Sequence, residues 1–529
     1  MVTPHRTFFS TLLTAAALAA VFVVGTRVIL GKIWFDVPSV PGGLGTAAAA
    51  AITLFFAIWL SVCIVKPCSV FRRSAALALF VGCAAGFLTI RELNIRNSGL
   101  YTLAQEDTIT AITGRLSGDP VPAGPQWYRV RLETESVQTN NGEGRTPSEF
   151  SASGTAAVLI PKDVLSAGLP GGIRLKKGPI NRLFPADGMS VAAVITGRSN
   201  DGLLYIAETV TLQPFSGTAS DRLVRLRSQA RYTFFSLVWR RPGAGGLFAA
   251  LLSGNREYLD ENAAALFRSG GLSHLLALSG MHLGLVSLLA GGAARFLGGR
   301  RWGYRSALVA LFVFVWFTGF SPSLFRALLQ VIIAGVLGRG GVRLRQLSLL
   351  SLTFLIHLLM APSDFFSPAF ILSYCALAGI LVIGSRIYDC LQGHLPDIVL
   401  KPLCASSGAW LAVAPVSFAL FGVAAPGAIL SSCIAGPLVS LFLIISILSV
   451  PAAILLPGLF NAFFVVLDAL YALIISAVTV FTRIPPLHSR TLTDTILYTF
   501  FLVTCIVALC IWRHVNSLRR SVDANFARL

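Results

Sequence analysis

Charged side chains are scarce in this sequence. Of its 529 residues only 12% are Asp, Glu, Lys or Arg, whereas 55% are hydrophobic. A typical soluble protein carries about twice that charged fraction, so this composition excludes an ordinary soluble fold. The mean hydropathy of +0.75 likewise indicates a membrane protein. In a membrane protein, a net charge of +19 is explained first by Lys and Arg in the loops, which orient the chain in the bilayer.

Cysteine is absent between residues 84 and 374, and the nine cysteines of the chain lie in or beside apolar segments. The long polar part of the sequence therefore has no disulfide framework and no cysteine-ligated metal site. A G-x-x-x-x-G-K-[ST] phosphate-binding sequence is also missing, because Gly31-Lys32 is followed by Ile33. We expect no bound metal, no cofactor and no built-in ATPase.

Apolar windows are abundant. A window must supply about 20 residues to cross roughly 30 Å of hydrocarbon. Such windows lie at 7–28, 44–65, 74–91, 272–294, 304–320, 322–338, 346–361, 369–385, 401–421, 427–450, 459–481 and 494–512. The window 322–338 is short, and Pro437, Pro451 and Pro457 are expected to break the tenth window. The sequence therefore predicts about 10 to 12 spans.

The basic loops indicate how the chain is oriented. Basic residues cluster in the loops 66–73, 295–305 and 339–345 and in the tail 513–528, which all fall on one side of the membrane. Because such loops stay in the cytoplasm, we predict a multi-pass protein of the bacterial inner membrane with both termini inside. A cleaved signal sequence is the alternative for the first window, since Ala17-Leu18-Ala19 resembles a cleavage site.

These patterns together predict a mainly α, polytopic membrane helical bundle with an inserted small all-β, OB-like barrel. The predicted domains are the following: three N-terminal spans in 1–97, an extracytoplasmic β domain in 98–217, a basic amphipathic interfacial segment in 218–245, a transmembrane domain in 246–513 and a basic cytoplasmic tail in 514–529.

The β domain is predicted from short alternating segments bounded by turn residues. The candidate strands are 108–114, 126–134, 153–160, 189–198 and 203–211. Five strands suit a small barrel, and OB-folds often bind single-stranded nucleic acid by stacking and backbone contacts. The candidates for such contacts are Trp127, Tyr128, Arg129, Arg131, Lys176 and Lys177. Acidic and basic residues nearly balance here, so a spacer or assembly domain is the alternative.

A basic segment follows the β domain. Its arginines, which include Arg222 and Arg225, alternate with Leu, Phe and Trp in the pattern of an amphipathic helix. Such a helix lies on an anionic membrane surface. The alternative is an electrostatic collar that attracts phosphate groups, and in that case Arg222 and Arg225 are candidates for contact with nucleic acid.

Polar residues also interrupt the window 272–294. Ionisable groups at that depth are costly unless they face a protein interior or a wet cavity, so we predict that they line a pathway. The candidates for this pathway are the polar residues Ser273, His274, Ser279 and His282, together with Gly280 and Gly284 beside them. An intramembrane serine hydrolase built on Ser279 and His282 is an alternative. Two histidines without a third ligand do not make a zinc site.

Three segments, in order along the chain, carry a resemblance to a known family. They are GLSHLLALSGMHLG at 271–284, GFSPSLFRALL at 319–329, and the segment 415–437 with its prolines at both ends. They resemble the signature segments of the ComEC competence proteins. Two departures occur: Phe370-Ile371-Leu372-Ser373-Tyr374 replaces the usual G-F-Q-L-S-F, and Ser432 or Cys433 stands where Asn is common.

The resemblance implies a channel, not an enzyme, that takes up single-stranded DNA through the inner membrane in natural transformation. It adds Ser323 and Arg326 to the candidates for the DNA path. It also implies an external DNA receptor and a cytosolic DNA-translocating ATPase as partners. We expect the form without the C-terminal metallo-β-lactamase-like domain, because an H-x-H-x-D-H sequence is absent. Degradation of the other strand is then expected either to come from a separate nuclease or not to occur. A transporter of a small solute or lipid is the remaining alternative.

Overall fold

The computed structural model describes most of the chain between residues 109 and 488. The described residues are 109–118, 120–123, 126–139, 148–161, 188–198, 204–212, 219–238, 241, 243–256, 258–455 and 457–488. The predicted spans at 7–28, 44–65, 74–91 and 494–512 lie outside them. Two compact units are present. The barrel unit is the described part of 87–259 and 286–321, and the helical unit is the described part of 260–285 and 322–529.

The barrel unit contains six strands. They are β1 Ile109–Leu116, β2 Val121–Pro122, β3 Trp127–Thr139, β4 Ser148–Pro161, β5 Ser190–Arg198 and β6 Leu204–Leu212. The hydrogen-bonded order is β1-β5-β6-β4-β3, and β3 pairs again with β1, so five strands close into a barrel and β2 adds an edge to β3. All pairs are antiparallel except β4 and β6. The predicted small all-β barrel is therefore confirmed.

Alternation along the strands builds the core of the barrel. On β3, Tyr128, Val130 and Leu132 are buried, whereas Arg129 and Arg131 point outward. This is the period of two that a half-buried strand requires. The barrel curves at Gly114, where the β1–β3 register shifts and an added Cβ would overlap the Glu133 carbonyl.

Three helices belong wholly to the barrel unit: α1 Ala219–Val238, α2 Ala244–Ser253 and α6 Arg300–Thr318. Helices are numbered in chain order, and the three between α2 and α6 are described with the helical unit. The predicted amphipathic helix is α1. Phe234 on α1 stacks on Phe248 of α2 and meets Phe317 of α6 edge to face, with ring centres 5.4 Å apart in both pairs. This aromatic contact is a small apolar core for the three helices.

The helical unit is built from the remaining helices. They are α3 Glu261–Ser269, α4 Ser273–Leu276, α5 Gly280–Gly298 (whose first residues belong to this unit), α7 Pro322–Arg339, α8 Gln346–Met360, α9 Pro368–Leu391, α10 Asp397–Phe421, α11 Ala428–Leu455 and α12 Pro457–Phe481. A short antiparallel pairing of β7 Val423–Ala424 with β8 Leu487–His488 follows α10 and α12.

Six helices among the described residues are long and apolar enough to cross a membrane. They are α5, α7, α9, α10, α11 and α12, of which α11 has the highest hydropathy. The helix α8 is apolar but has only 15 residues. The predicted fold class, a multi-pass membrane bundle with an inserted barrel, is thereby confirmed.

Helix breaks differ from the prediction at two places. The window 272–294 is not one helix, because Ala277 is extended and α5 begins only at Gly280. Conversely, Pro437 and Pro451 lie inside the continuous helix α11 and do not break it. Membrane helices tolerate proline because neighbouring groups satisfy the freed carbonyls. Pro457 stands at the first position of α12, where its missing N–H costs nothing.

The helix α9 contains a π-helical turn at Ile380–Gly384. At Gly379, just before this turn, and at Gly384, its last residue, the backbone approaches α10 very closely. A Cβ added at Gly408 of α10 would lie 2.7 Å from both the Gly379 carbonyl oxygen and the Gly384 Cα. Only glycine at Gly408 permits this crossing of α9 and α10.

Candidate functional site

The site begins at the break between α4 and α5. Just before α4, Gly271 has a φ of +70° after the end of α3, and an added Cβ there would lie 2.7 Å from the Ala428 methyl group. The carbonyl of Leu278 faces α7 and accepts a 2.7 Å hydrogen bond from the Ser323 hydroxyl. Because Leu278 lies outside any helix, its carbonyl needs such a partner. Ser323 thus ties the start of α7 to the break before α5.

Ser279 and His282 interact around the first turn of α5. The Ser279 Oγ accepts the Met281 N–H at 3.3 Å, which is the contact of a helix N-cap. The same Oγ lies 3.2 Å from His282 Nδ1, and the Ser279 N–H donates to that nitrogen at 3.3 Å. Since Nδ1 is an acceptor here, a neutral imidazole carries its proton on Nε2.

His282 Nε2 is the free end of this arrangement. The His282 side chain is fully buried, and its Nε2 has no hydrogen-bond partner among the described residues. A buried donor without a partner costs about 1–3 kcal/mol. The cap therefore directs a hydrogen-bond donor into the protein interior.

Arg326 on α7 is the second buried donor. It is only 7% exposed, and its guanidinium carbon lies 5.8 Å from the centre of the Tyr374 ring on α9. Its Nε and Nη1 have no hydrogen-bond partner in the described part of the chain. An arginine in a membrane helix can reach lipid headgroups or cap a helix carbonyl, but a buried guanidinium with these two nitrogens unpaired does neither.

Gly280 brings Arg326 to the start of α5. A Cβ at Gly280 would lie 3.5 Å from Arg326 Nη2 and 3.5 Å from the Ala327 Cβ, so any side chain at this position would contact the guanidinium. Gly280 lies between Ser279 and His282 in sequence. The structure thus brings together five predicted residues, which we call the donor cluster: Ser279, Gly280, His282, Ser323 and Arg326.

The donor cluster presents N–H groups and one permanent positive charge. No carboxylate of the described residues forms an ion pair with Arg326. A buried charge without a counter-ion is expensive. An anionic group with oxygen acceptors, such as a phosphate or a carboxylate, would satisfy both the charge and the free N–H groups.

Three further residues, which the sequence did not predict, connect to Arg326 through the Tyr374 ring. The Tyr374 hydroxyl lies 3.2 Å from His357 Nδ1 on α8, and His357 Nε2 lies 3.2 Å from the Asp364 carboxylate. His357 is fully buried. The available signal was the pair of ionisable residues, His357 and Asp364, beside Pro362 at the end of an apolar window.

The other predicted residues of the window 272–294 lie apart from this contact set. Ser273 and His274 are exposed on the short helix α4, where His274 Nδ1 lies 3.1 Å from the Gly271 carbonyl oxygen. Gly284 lies on an exposed face of α5, with open space where a Cβ would stand. Their place in a DNA path stays a prediction.

On the barrel, one predicted contact residue must be corrected. Tyr128 is 5% exposed and belongs to the inward face of β3, so its ring is not a stacking surface. The alternation that puts Val130 inside also puts Tyr128 inside. Trp127 is half-buried, and Arg129 and Arg131 are exposed. Lys176 and Lys177 lie outside the described residues.

The basic segment divides into two groups of arginines. Arg222 and Arg225 are exposed on α1. Arg227 and Arg231 are buried instead, and Arg231 Nη1 donates to the carbonyls of Phe317 and Thr318 at 3.2 and 3.3 Å. These carbonyls are at the C-terminus of α6, where a cation is favoured. Arg227 Nε lies 3.5 Å from the same Phe317 carbonyl oxygen. The buried pair therefore caps a helix and is not part of a membrane-facing or phosphate-attracting surface.

No group of three potential metal ligands occurs among the residues that the structure describes. The Ser279–His282 contact also differs from an activated nucleophile. Its Oγ is engaged as a helix cap, and within the described residues no third group orients the imidazole through Nε2.

The donor cluster lies within the part of the chain that matches a known protein family. A family model described as competence protein matches residues 251–514, about half of the chain. The chain is 31% identical over 175 residues to ComE operon protein 3 of Bacillus subtilis (strain 168), a match covering 32% of this chain and 22% of that protein. It is 27% identical over 199 residues to the uncharacterized protein YcaI of Escherichia coli (strain K12), covering 35% of this chain and 26% of the relative. The matches thus span about a quarter of each relative's length. No solved structure matches.

Proposed function

The chain belongs to the competence protein family, and from that premise we propose that it forms the path by which single-stranded DNA crosses the cytoplasmic membrane in natural transformation. A role in competence and a multi-pass membrane location follow from the family and from the six apolar helices. The proposal adds two points. The transported molecule is single-stranded DNA, and its path passes the donor cluster.

One observation carries this proposal: Arg326 is buried among membrane helices with Nε and Nη1 free of partners among the described residues. A strand crossing the membrane brings one negative charge per nucleotide into a region where charge is costly. A guanidinium matches the phosphodiester oxygens in charge and in donor geometry. Arg326 would then gain its missing counter-ion from each passing phosphate.

His282 supports the same role without adding charge. Because Nδ1 contacts Ser279, the Nε2–H can donate a hydrogen bond to a phosphate oxygen. A neutral imidazole adds no net charge to that contact. Transport requires that a site bind strongly enough to admit its ligand and weakly enough to release it. One buried cation with one neutral donor fits that requirement better than a cluster of cations.

Further parts of the proposal rest on the family and on the charge pattern. Both termini would be cytoplasmic and the barrel extracytoplasmic, as the basic loops predict. An external DNA receptor would deliver the DNA, and a separate cytosolic ATPase would pull the strand, since the sequence has no phosphate-binding loop. Arg129 and Arg131 on the barrel, with Arg222 and Arg225 on α1, are the proposed external contacts.

The test is deletion of the gene in a transformable host, followed by measurement of labelled DNA that becomes protected inside the cytoplasm. The proposal predicts that DNA still binds to the cell surface while entry into the cytoplasm is lost and is restored by the wild-type gene. Normal DNA entry together with a defect in uptake of a small anionic solute would contradict it and favour a solute transporter.

A further inference from the structure

Arg326 is held by contacts that reach from the interior of the helical unit to a partly exposed carboxylate. The order of contacts is Arg326 to the Tyr374 ring, the Tyr374 hydroxyl to His357, and His357 to Asp364. Asp364 lies in the short 3-10 helix Pro362–Phe366, and its side chain is 32% exposed. The three elements that follow α7, namely α8, the 3-10 helix and α9, therefore each supply one residue: His357, Asp364 and Tyr374. We call these three residues the relay.

With Asp364 ionised and His357 neutral, the direction of each hydrogen bond follows from the groups themselves. An ionised Asp364 can only accept, so His357 Nε2 must donate to it. In the neutral imidazole Nδ1 is then an acceptor, and the Tyr374 hydroxyl donates to it. This bond restricts rotation of the Tyr374 hydroxyl and holds the ring at one position.

Aromatic packing holds the same groups from the sides. Phe325, which precedes Arg326 on α7, meets the His357 ring edge to face with centres 4.8 Å apart. Phe370 lies 4.8 Å from the His357 ring and 4.5 Å from the Tyr374 ring. Rings packed in this way have few alternative rotamers. The face that Tyr374 presents to Arg326 is therefore set before any ligand arrives.

We infer that Asp364, His357 and Tyr374 are positioning residues, which orient the Arg326 guanidinium so that its free N–H groups meet a phosphodiester. This inference rests on the proposed function. A long arginine side chain loses considerable rotamer freedom when it binds a ligand. A guanidinium already stacked on a fixed ring has lost that freedom in advance, so its contact with phosphate is stronger.

The Tyr374 hydroxyl is the informative atom. The hydroxyl alone makes the hydrogen bond to His357, whereas the ring makes the contact with Arg326. Replacing Tyr374 by Phe keeps the ring beneath Arg326 and removes only the bond to His357. A role in positioning therefore predicts an effect from the loss of one oxygen atom.

The experiment measures the Kd of a fluorescein-labelled oligothymidylate for the full-length protein in lipid nanodiscs, by fluorescence anisotropy. The proteins compared are wild type, Tyr374→Phe, Arg326→Gln and the double variant. Tyr471→Phe on α12 is the matched control, because it removes the same atom outside the relay. We expect Tyr374→Phe to raise Kd by about three- to tenfold and Tyr471→Phe to leave it unchanged.

The double variant separates positioning from a general structural role. If Tyr374 acts through Arg326, Tyr374→Phe has no further effect once Arg326→Gln is present. Equal Kd for wild type and Tyr374→Phe, or additive weakening in the double variant, would overturn the inference. Wild-type Kd for Arg326→Gln would instead overturn the phosphate contact itself.

Asp364→Asn provides a second measurement at the exposed end of the relay. It keeps the shape of the side chain and weakens only the acceptor for His357. The inference predicts a smaller rise in Kd in the same direction, again absent when Arg326 is already Gln. A rise that persists in the Arg326→Gln background would contradict it.

Discussion

The guanidinium of Arg326 lies over the face of Tyr374, with 5.8 Å between its carbon and the centre of the ring, although the two residues belong to different membrane helices. A desolvated contact of this kind contributes about 2 kcal/mol. That is well below the cost of burying an unpaired charge. The arginine is therefore held in place without being neutralised, which leaves it available for an anion.

Gly280 provides the space for Arg326, and this can be tested by adding bulk. At 3.5 Å from Arg326 Nη2, the single methyl of Gly280→Ala makes an ordinary contact, whereas the larger Gly280→Val would displace the guanidinium at a cost of about 1–3 kcal/mol. We expect DNA uptake to fall sharply for Val and little for Ala. Gly292→Val on the same helix, where a Cβ meets nothing within 4 Å, is the control. Equal uptake by the two Val variants would contradict this assignment.

Arg231 should contribute to stability and not to transport. It donates to the Phe317 and Thr318 carbonyls at the end of α6, so Arg231→Met leaves these acceptors with one donor fewer. The expected loss is about 1–3 kcal/mol, seen as a lower Tm of the purified protein. Exposed Arg222→Met serves as the control and should leave Tm unchanged. An unaltered Tm for Arg231→Met would show that the carbonyls find other donors.

Gly408 should tolerate no side chain. Gly408→Ala places a methyl group against the backbone of the π-helical turn in α9, where neither helix can move without losing its packing. We expect less protein in the membrane and a lower Tm. The comparison variant is Gly436→Ala on α11, where the space is open. Wild-type Tm for Gly408→Ala would mean that α9 and α10 separate more easily than their contacts indicate.

The barrel should fold by itself. Its five strands close on one another around a core that includes Leu132 and Val158. A fragment of residues 101–215 is expected to be soluble, β-rich by circular dichroism, and a weak binder of single strands because its charges nearly balance. Leu132→Ala should destabilise this fragment by about 2–5 kcal/mol. A helical or unfolded spectrum of the parent fragment would refute the prediction.

Hydropathy and alternation predicted most of the fold, because burial in lipid and burial in a barrel leave direct marks on the sequence. All eight apolar windows between 272 and 481 contain helices, and all five predicted strands are present. The break at Ala277 was missed because its neighbours are apolar and a window average does not register it. The helix break predicted at Pro437 does not occur, because membrane helices accommodate proline.

The donor cluster could be predicted in part. Ser279 and His282 were identifiable as costly polar groups in an apolar segment, and Arg326 was identifiable through the resemblance to the ComEC segments. The contacts that link Arg326 to Tyr374, His357 and Asp364 could not be predicted, since they depend on how α7, α8 and α9 pack together and not on spacing in the sequence. Tyr128 was misassigned although the alternation of β3 already places it inside with Val130.

The charge of Arg326 is the central claim, and DNA uptake by two variants at equal membrane abundance tests it most directly. Contact with a phosphodiester depends on positive charge, so Arg326→Lys should retain much of the uptake, with some loss because lysine lacks the planar fork of donors. Arg326→Gln keeps hydrogen-bonding ability but not charge and should lose most of it. Wild-type uptake by Arg326→Gln would contradict the account and leave Arg326 with a purely structural role.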